Sequence, residues 1–213
     1  FYSLQGETLT AGFPSFFIRL AGCNLKCSYC DTPASHEKGK PVSEDWLIKK
    51  LSEFTFHHIT ITGGEPLVQK EIIPFMQRLI DQKYDVQLET NGSICCKDVP
   101  EGVRKIIDIK SQSSAEGGSF LLENLRYLHE SDELKFVISD AGEFAFVMEF
   151  INKELEPLQL NNVINISPAS DAISVKETAD LIISNQLNVR LNMQLHKIIW
   201  NNKEGMEIPL DME

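Results

Sequence analysis

The sequence predicts an α/β fold, a partial (incomplete) TIM-like β/α barrel with mostly parallel strands and a cysteine-rich loop after the first strand. Short β-branched runs alternate with helical segments of about 10 residues along nearly the whole chain. About six or seven such strands fit, fewer than the eight of a complete barrel. No linker-like stretch, repeat or charge block divides the 213 residues, so a single domain over 1–213 is expected. A chain of this length buries roughly 70% of its unfolded surface, and 42% apolar with 24% charged residues is an ordinary globular composition.

The elements follow in order. Pro14–Leu20 (Pro-Ser-Phe-Phe-Ile-Arg-Leu) is rich in β-formers and stops at Ala21-Gly22, which makes it the first strand. Residues 45–54 place Trp46, Leu47, Ile48 and Leu51 at helical spacing, and 58–62 (His-Ile-Thr-Ile-Thr) is a strand stopped by Gly63-Gly64. The same beat predicts a helix over 72–82, strands over 85–89 and 105–109, a helix over 120–129 and a strand at Glu133–Ile138. A helix over 143–155, a strand over 162–166, a helix at Val175–Ser184 and a strand over 188–191 complete it. Right-handed βαβ crossovers make such a sheet parallel, and ligands gather at the C-terminal ends of its strands. The unusual residues fall on those ends: the cysteines, Gly63-Gly64-Glu65-Pro66, Glu89-Thr90-Asn91-Gly92 and Asp108-Ile109-Lys110.

A net charge of −11 and a pI near 4.9 leave no broad basic surface, which excludes direct, sequence-independent nucleic-acid binding. No apolar run reaches the roughly 18 residues of a membrane span, so no membrane association and a cytoplasmic location are expected. The five cysteines are odd in number and unevenly spaced, unlike a secreted disulfide framework.

Cys23, Cys27 and Cys30 have the spacing C-x3-C-x2-C. Three thiolates on a short loop suit a [4Fe–4S] cube and leave one iron free for a small molecule. Zinc completed by His36 or Asp31 is the other reading of the same residues. Tyr29 sets an aromatic wall beside the last thiol, and the vicinal Cys95 and Cys96 read as buried or idle thiols. Gly63-Gly64 lets the backbone approach a ligand closely, and Glu65 is placed to accept a hydrogen bond from an ammonium group.

These motifs together resemble the radical S-adenosylmethionine (SAM) superfamily. The resemblance implies that the free iron chelates the methionine end of SAM and that one electron from the cluster cleaves a carbon–sulfur bond. It implies SAM contacts at Tyr29, Asp31, Gly64, Glu65, Glu89, Lys110 and Ser111. Within the superfamily, Ser3-Leu4-Gln5-Gly6-Glu7, Phe17-Ile18-Arg19-Leu20 and Cys30-Asp31-Thr32, with the late Gln194-Leu195-His196-Lys197 and Trp200, resemble the 7-carboxy-7-deazaguanine synthases. Those carbon–nitrogen lyases rearrange 6-carboxy-5,6,7,8-tetrahydropterin, with loss of ammonia, on the way to queuosine and related 7-deazapurines.

The resemblance implies substrate contacts at Leu4, Gln5, Gly6, Glu7, Arg19 and Thr62, a Mg2+ ligand at Thr32, and catalytic use of SAM. A pterin offers a planar donor–acceptor edge to the N-terminal segment, and Arg19 is a bidentate partner for its carboxylate. No general base is indispensable; Glu7 and His196 are the candidates. A homodimer and an electron donor such as flavodoxin are implied as partners. Two departures stand out. Thr8 occupies a position that is commonly glycine in the family, which predicts an altered local backbone. The chain ends Ile208-Pro209-Leu210-Asp211-Met212-Glu213, so the family's C-terminal carboxylate role is not carried over. The alternatives are a glycyl-radical-enzyme activating enzyme acting on a partner protein, and a zinc-stabilised binding module.

Overall fold

The structure, a computed structural model, describes residues 1–169 and 172–200. Among the described residues, eight strands form one open sheet in sequence order: β1 (Tyr2–Leu4), β2 (Pro14–Leu20), β3 (His58–Gly63), β4 (Asp85–Thr90), β5 (Arg104–Asp108), β6 (Glu133–Ile138), β7 (Val163–Pro168) and β8 (Arg190–Leu191). Neighbours from β2 to β8 are parallel and β1 is antiparallel to β2, with Leu4 opposite Pro14. The partial barrel is as expected, with more strands than the chain's pattern suggested. β1 was not foreseen, because three residues carry no readable period.

The helices α1 (Glu44–Leu51), α2 (Ile72–Asp81), α3 (Ala141–Phe150) and α4 (Val175–Ser184) cover the sheet's outer face, and a short α5 (Leu195–Ile199) follows β8. α2 buries Ile72, Phe75, Met76 and Leu79, an i, i+3, i+4, i+7 stripe. α3 runs on through one π turn over Ile151–Leu155, which accounts for the length of the predicted helix there. The segment 120–129 is no α-helix but a 3-10 stretch, Leu122–Tyr127. Its buried Asn124 gives both amide hydrogens to the Gly92 and Ile94 carbonyls, at 2.9 and 3.0 Å, and accepts the Cys96 N–H at 2.8 Å. Those long-range bonds tie the segment to the loop after β4, overriding the helical pattern.

The two faces of the sheet differ in chemistry. Ile59, Ile61, Val86, Leu88, Leu134, Phe136 and Ile166 point outward into the core under the helices. Alternate positions point inward and are polar: Thr60, Gln87, Glu133, Asn165 and Asn192 are all buried. The interior of this barrel is therefore a polar lumen, unlike the branched apolar packing typical of complete barrels.

The segment 5–13 threads this lumen. The Thr8 hydroxyl donates to Gln87 Oε1 at 3.2 Å, Thr10 does so at 2.9 Å, and the Leu9 N–H meets the Glu133 carboxylate at 3.1 Å. The same segment bridges the gap between β1 and β8, through Thr8 N–H to Asn192 Oδ1 at 3.0 Å and Leu195 N–H to the Gly6 carbonyl at 2.9 Å. Thr8 has φ +65°, the left-handed conformation a glycine would take, so its departure from the family pattern changes the residue and leaves the backbone glycine-like.

Candidate active site

At the C-terminal ends of the strands lies a cavity of about 660 Å³, within the range of roughly 300–1,000 Å³ in which proteins bury small ligands. Cys23, Cys27 and Cys30 line it, all free thiols on the loop after β2. That loop is tied down from outside: Lys26 N–H to Glu116 Oε1 at 2.6 Å, Ser28 N–H to the Ser114 carbonyl at 2.9 Å, and Asn24 Nδ2 to Ser93 Oγ at 2.8 Å. Burial pushes the Cys27 thiol above its ordinary value, with Lys110 opposing the shift. Among the described residues, no three His, Cys, Asp or Glu side chains gather around one point as ligands of a single ion.

The loop after β3 supplies Gly63 and Gly64 to the same wall. Gly63 has φ +141°, and a Cβ there would lie 2.1 Å from the Leu20 carbonyl oxygen; one on Gly64 would lie 2.1 Å from that of Gly22. Only glycine lets this loop press against the root of the cysteine loop. Glu65, expected as a SAM contact, is not among the residues lining the cavity. It is fully buried, and its carboxylate accepts from Leu67 N–H at 3.0 Å, the Thr90 hydroxyl at 2.8 Å and Asn91 N–H at 2.7 Å. Burial raises its pKa against those three donors. Its part is to lock β3 to β4, leaving the glycine backbone to meet a ligand.

Tyr29, Asp31, Glu89 and Lys110 line the cavity, whereas Ser111 stands behind Tyr29. The Ser111 hydroxyl, 2% exposed, donates to Glu143 Oε1 at 2.5 Å and lies 3.4 Å from the Tyr29 hydroxyl, where it supports that ring. Burial raises the Asp31 pKa, but Lys135, the Thr32 hydroxyl and Lys110 more than offset it, holding the carboxyl below its ordinary value. The Thr32 hydroxyl is 3.0 Å from Asp31 Oδ1 and accepts from Arg19 at 3.3 Å.

On the opposite wall, Leu4, Gln5, Gly6 and Glu7 line the cavity together with Thr62 and His196. Gln5, expected as a substrate contact, lines the cavity with its polar groups engaged by protein partners. Nε2 donates to Thr60 Oγ1 and Glu89 Oε1, both at 3.2 Å, Oε1 accepts Glu7 N–H at 3.1 Å, and the backbone pairs with Gly12 and Phe13. Thr62 donates to Glu89 Oε2 at 2.9 Å. A Cβ on Gly6 would lie 2.2 Å from His196 Nδ1, so the glycine makes room for the imidazole. Burial lowers the His196 pKa, with Glu7 opposing, and keeps the ring neutral at pH 7.

The sequence reading missed Lys135. Its Nζ lies in the lumen, 2.6 Å from Glu7 Oε2 and 3.8 Å from Asp108 Oδ2, while Lys110 pairs with Asp108 at 3.0 Å. Burial opposes the charge, but Glu7, Asp108 and Glu89 raise the Lys135 pKa far above its ordinary value. Burial raises the Glu89 pKa against Lys135. Among the described residues, Glu7 Oε1 and Asp108 Oδ1 are buried without a hydrogen-bond partner, although both residues line the cavity. A signal was available: a strand buried on both faces in a parallel sheet reads as continuously apolar, yet β6 reads Glu-Leu-Lys-Phe-Val-Ile. Trp200 closes α5, and 208–213 lie outside the described residues.

Comparison with known proteins gives this geometry its context. The Radical SAM superfamily profile matches residues 17–111, which span the cysteine loop through Ser111. A 7-carboxy-7-deazaguanine synthase of Koribacter versatilis is 40% identical over 212 residues, covering 93% of each chain. The chain belongs to the 7-carboxy-7-deazaguanine synthase family. The Thermoplasma acidophilum synthase is 36% identical with 97% of each chain covered. The crystal structure of QueE from Escherichia coli aligns with a TM-score of 0.76, 26% identity and 92% of each chain covered. The chain is thus a radical SAM enzyme of 7-deazapurine biosynthesis, and neither the glycyl-radical-enzyme activase nor the zinc module is favoured.

The family implies a [4Fe–4S] cluster and SAM. The residues fit both: three soft thiol ligands face a cavity on one short loop, and beside them runs a glycine backbone that no side chain could replace.

Proposed function

We propose that this chain converts 6-carboxy-5,6,7,8-tetrahydropterin to 7-carboxy-7-deazaguanine with release of ammonia. The observation that carries the reading is that one cavity joins the three-thiol loop to the Leu4–Glu7 segment and Arg19. When bound at Cys23, Cys27 and Cys30, the cluster with SAM supplies one-electron chemistry that no side chain here offers. The protein positions the substrate and excludes water.

Glu7 is the centre of that positioning. Lys135 pairs with its Oε2, and its Oε1, without a hydrogen-bond partner among the described residues, is an acceptor for the N–H edge of the pterin ring. The Gly6 backbone and the Leu4 side chain border the same edge, and neutral His196 faces the ring. Arg19 at the cavity mouth takes the substrate carboxylate. Mg2+ would sit beside it on Thr32, where the hydroxyl and the Asp31 carboxylate offer hard oxygen ligands and leave the remaining positions to water and substrate. Gly63 and Gly64 offer the methionine end of SAM a bare backbone, and Tyr29, Asp31, Glu89 and Lys110 border its remainder.

Lys26 within the cysteine loop and Lys38 and Lys40 shortly after it in the chain are exposed in a protein whose net charge is −11, which suits docking of an acidic flavodoxin-type electron donor there. Five free thiols suit the reducing cytoplasm. The homodimer is carried by family resemblance and is tested by sedimentation equilibrium.

The deciding experiment is anaerobic turnover of iron–sulfide-reconstituted protein with SAM, a reductant, Mg2+ and 6-carboxytetrahydropterin, read by mass spectrometry. Formation of 7-carboxy-7-deazaguanine without stoichiometric loss of SAM supports the reading. Cleavage of SAM with the pterin intact overturns the substrate assignment.

A further inference from the structure

Asn91 closes the turn after β4 and is 8% exposed. Its amide orientation is fixed by its neighbours: Oδ1 accepts the Ser93 N–H at 2.9 Å and the Ser93 hydroxyl at 2.6 Å, so the NH2 group faces the other way. Nδ2 lies 3.3 Å from Asn24 Oδ1 and 4.0 Å from Cys23 Sγ, which gives one hydrogen to each. Asn24 is itself held by its bond to Ser93 Oγ at 2.8 Å, and the Asn91 N–H is anchored on buried Glu65 at 2.7 Å. The donor is therefore held by three other residues and aimed at a thiol. His36 approaches Cys30 Sγ at 3.8 Å, but its ring is exposed and open to competition from water.

We propose that Asn91 donates an N–H···S hydrogen bond to the Cys23 thiolate and thereby sets how readily the cluster accepts its electron. One-electron reduction adds negative charge that spreads onto the cysteine sulfurs, so a donor stabilises the reduced form more than the oxidised one and raises the potential. The bond is effective here because the amide is buried and its donor is pre-oriented. Asn91 acts through the ligand and touches no reacting atom; it is a positioning residue. The proposal rests on the reading of the three cysteines as cluster ligands.

The test is a redox titration of the reconstituted full chain, followed by electron paramagnetic resonance, for the parent, Asn91→Ala and Asn24→Ala. At a fixed solution potential Asn91→Ala is expected to lower the ratio of reduced to oxidised cluster about tenfold, which is ~59 mV for one electron. Asn24→Ala removes one of the three anchors but leaves the amide oriented by Ser93 and Glu65, and is expected to keep the parent ratio. An unchanged ratio in Asn91→Ala at equal iron content overturns the proposal, as does an equal shift in both variants, which would point to loop geometry. Should Asn91→Ala fail to assemble, Asn24→Ala labelled with [15N]asparagine decides by double resonance. A 15N coupling to the reduced cluster supports the bond and its absence overturns it. A parent protein with no [4Fe–4S] signal overturns the cysteine reading as well, whereas a normal cluster indifferent to Asn91 overturns this proposal alone.

Discussion

Glu7, Lys135 and Asp108 come from three different elements and meet inside the lumen, where one ammonium holds two carboxylates. Removing one partner of a buried pair costs about 3–5 kcal/mol, because the remaining charge is stranded. Lys135→Met is therefore expected to destabilise the fold by that order and to raise the substrate KM. Adding Glu7→Gln to it should recover part of the stability, since the stranded carboxylate is gone. Urea unfolding of the two single variants and the double checks this; strict additivity would show that the pair is not coupled. Thr8 makes the complementary case. Its left-handed backbone is strained for a β-branched residue by about 1–3 kcal/mol, and its hydroxyl bond to Gln87 offsets part of that. Thr8→Gly removes strain and bond together and should change stability little. Thr8→Val keeps the strain, loses the bond and should be the less stable of the two by about 1–3 kcal/mol in the same assay.

At the level of elements, the loops after β3 and β5 support the site from behind. Gly64→Ala forces backbone against backbone at the root of the cysteine loop, so reconstituted iron content should fall well below that of the parent in a colorimetric assay. Glu143, in the first turn of α3, reaches across to the loop after β5 through bonds from Ser111 and Ser113, and accepts two more from Ser139 just beyond the end of β6. Burial raises its pKa, but those bonds outweigh it and bring the pKa below the ordinary 4.5. A carboxyl depressed in the fold contributes stability that is present above the unfolded value and lost as pH falls through the folded one. Glu143→Gln should therefore flatten the loss of stability below about pH 4.5, as read by denaturant midpoints across pH.

These elements also show what was legible in the sequence. Strands such as Pro14–Leu20 and Glu133–Ile138 are where their β-formers place them, because burial of one apolar face fixes both period and register. The segment 120–129 was misread because Asn124 answers to carbonyls about 30 residues away. Ser111 and Glu65 show where a motif's information ends: it reveals that a residue is needed, and the fold decides which way its side chain turns. Lys135 was overlooked because a lysine in a strand ordinarily reads as solvated, and only the curvature of the open sheet around its polar inner face puts it inside.

For the whole molecule, the sheet stays open and its two edges communicate through one threaded segment. Residues 5–13 bond to β4, β6, Asn192 just beyond β8 and the start of α5 while forming one wall of the cavity. A ligand resting on Glu7 and facing His196 would therefore bear on both edges of the sheet at once. Binding to the folded state alone stabilises it by RT ln(1 + [L]/Kd), about 2.7 kcal/mol at a hundredfold excess over Kd. For a chain of this size that corresponds to a melting-temperature rise of roughly 5–11 °C. Hydrogen exchange should show where the stabilisation enters. With 6-carboxypterin, a redox-stable analogue of the substrate, protection should rise across 4–8 and 194–200. The amides of α2, packed on the far side of the sheet, should exchange as before. Protection spread evenly over the molecule would mean that the ligand stabilises the barrel globally and that the threaded segment has no special part in closing it.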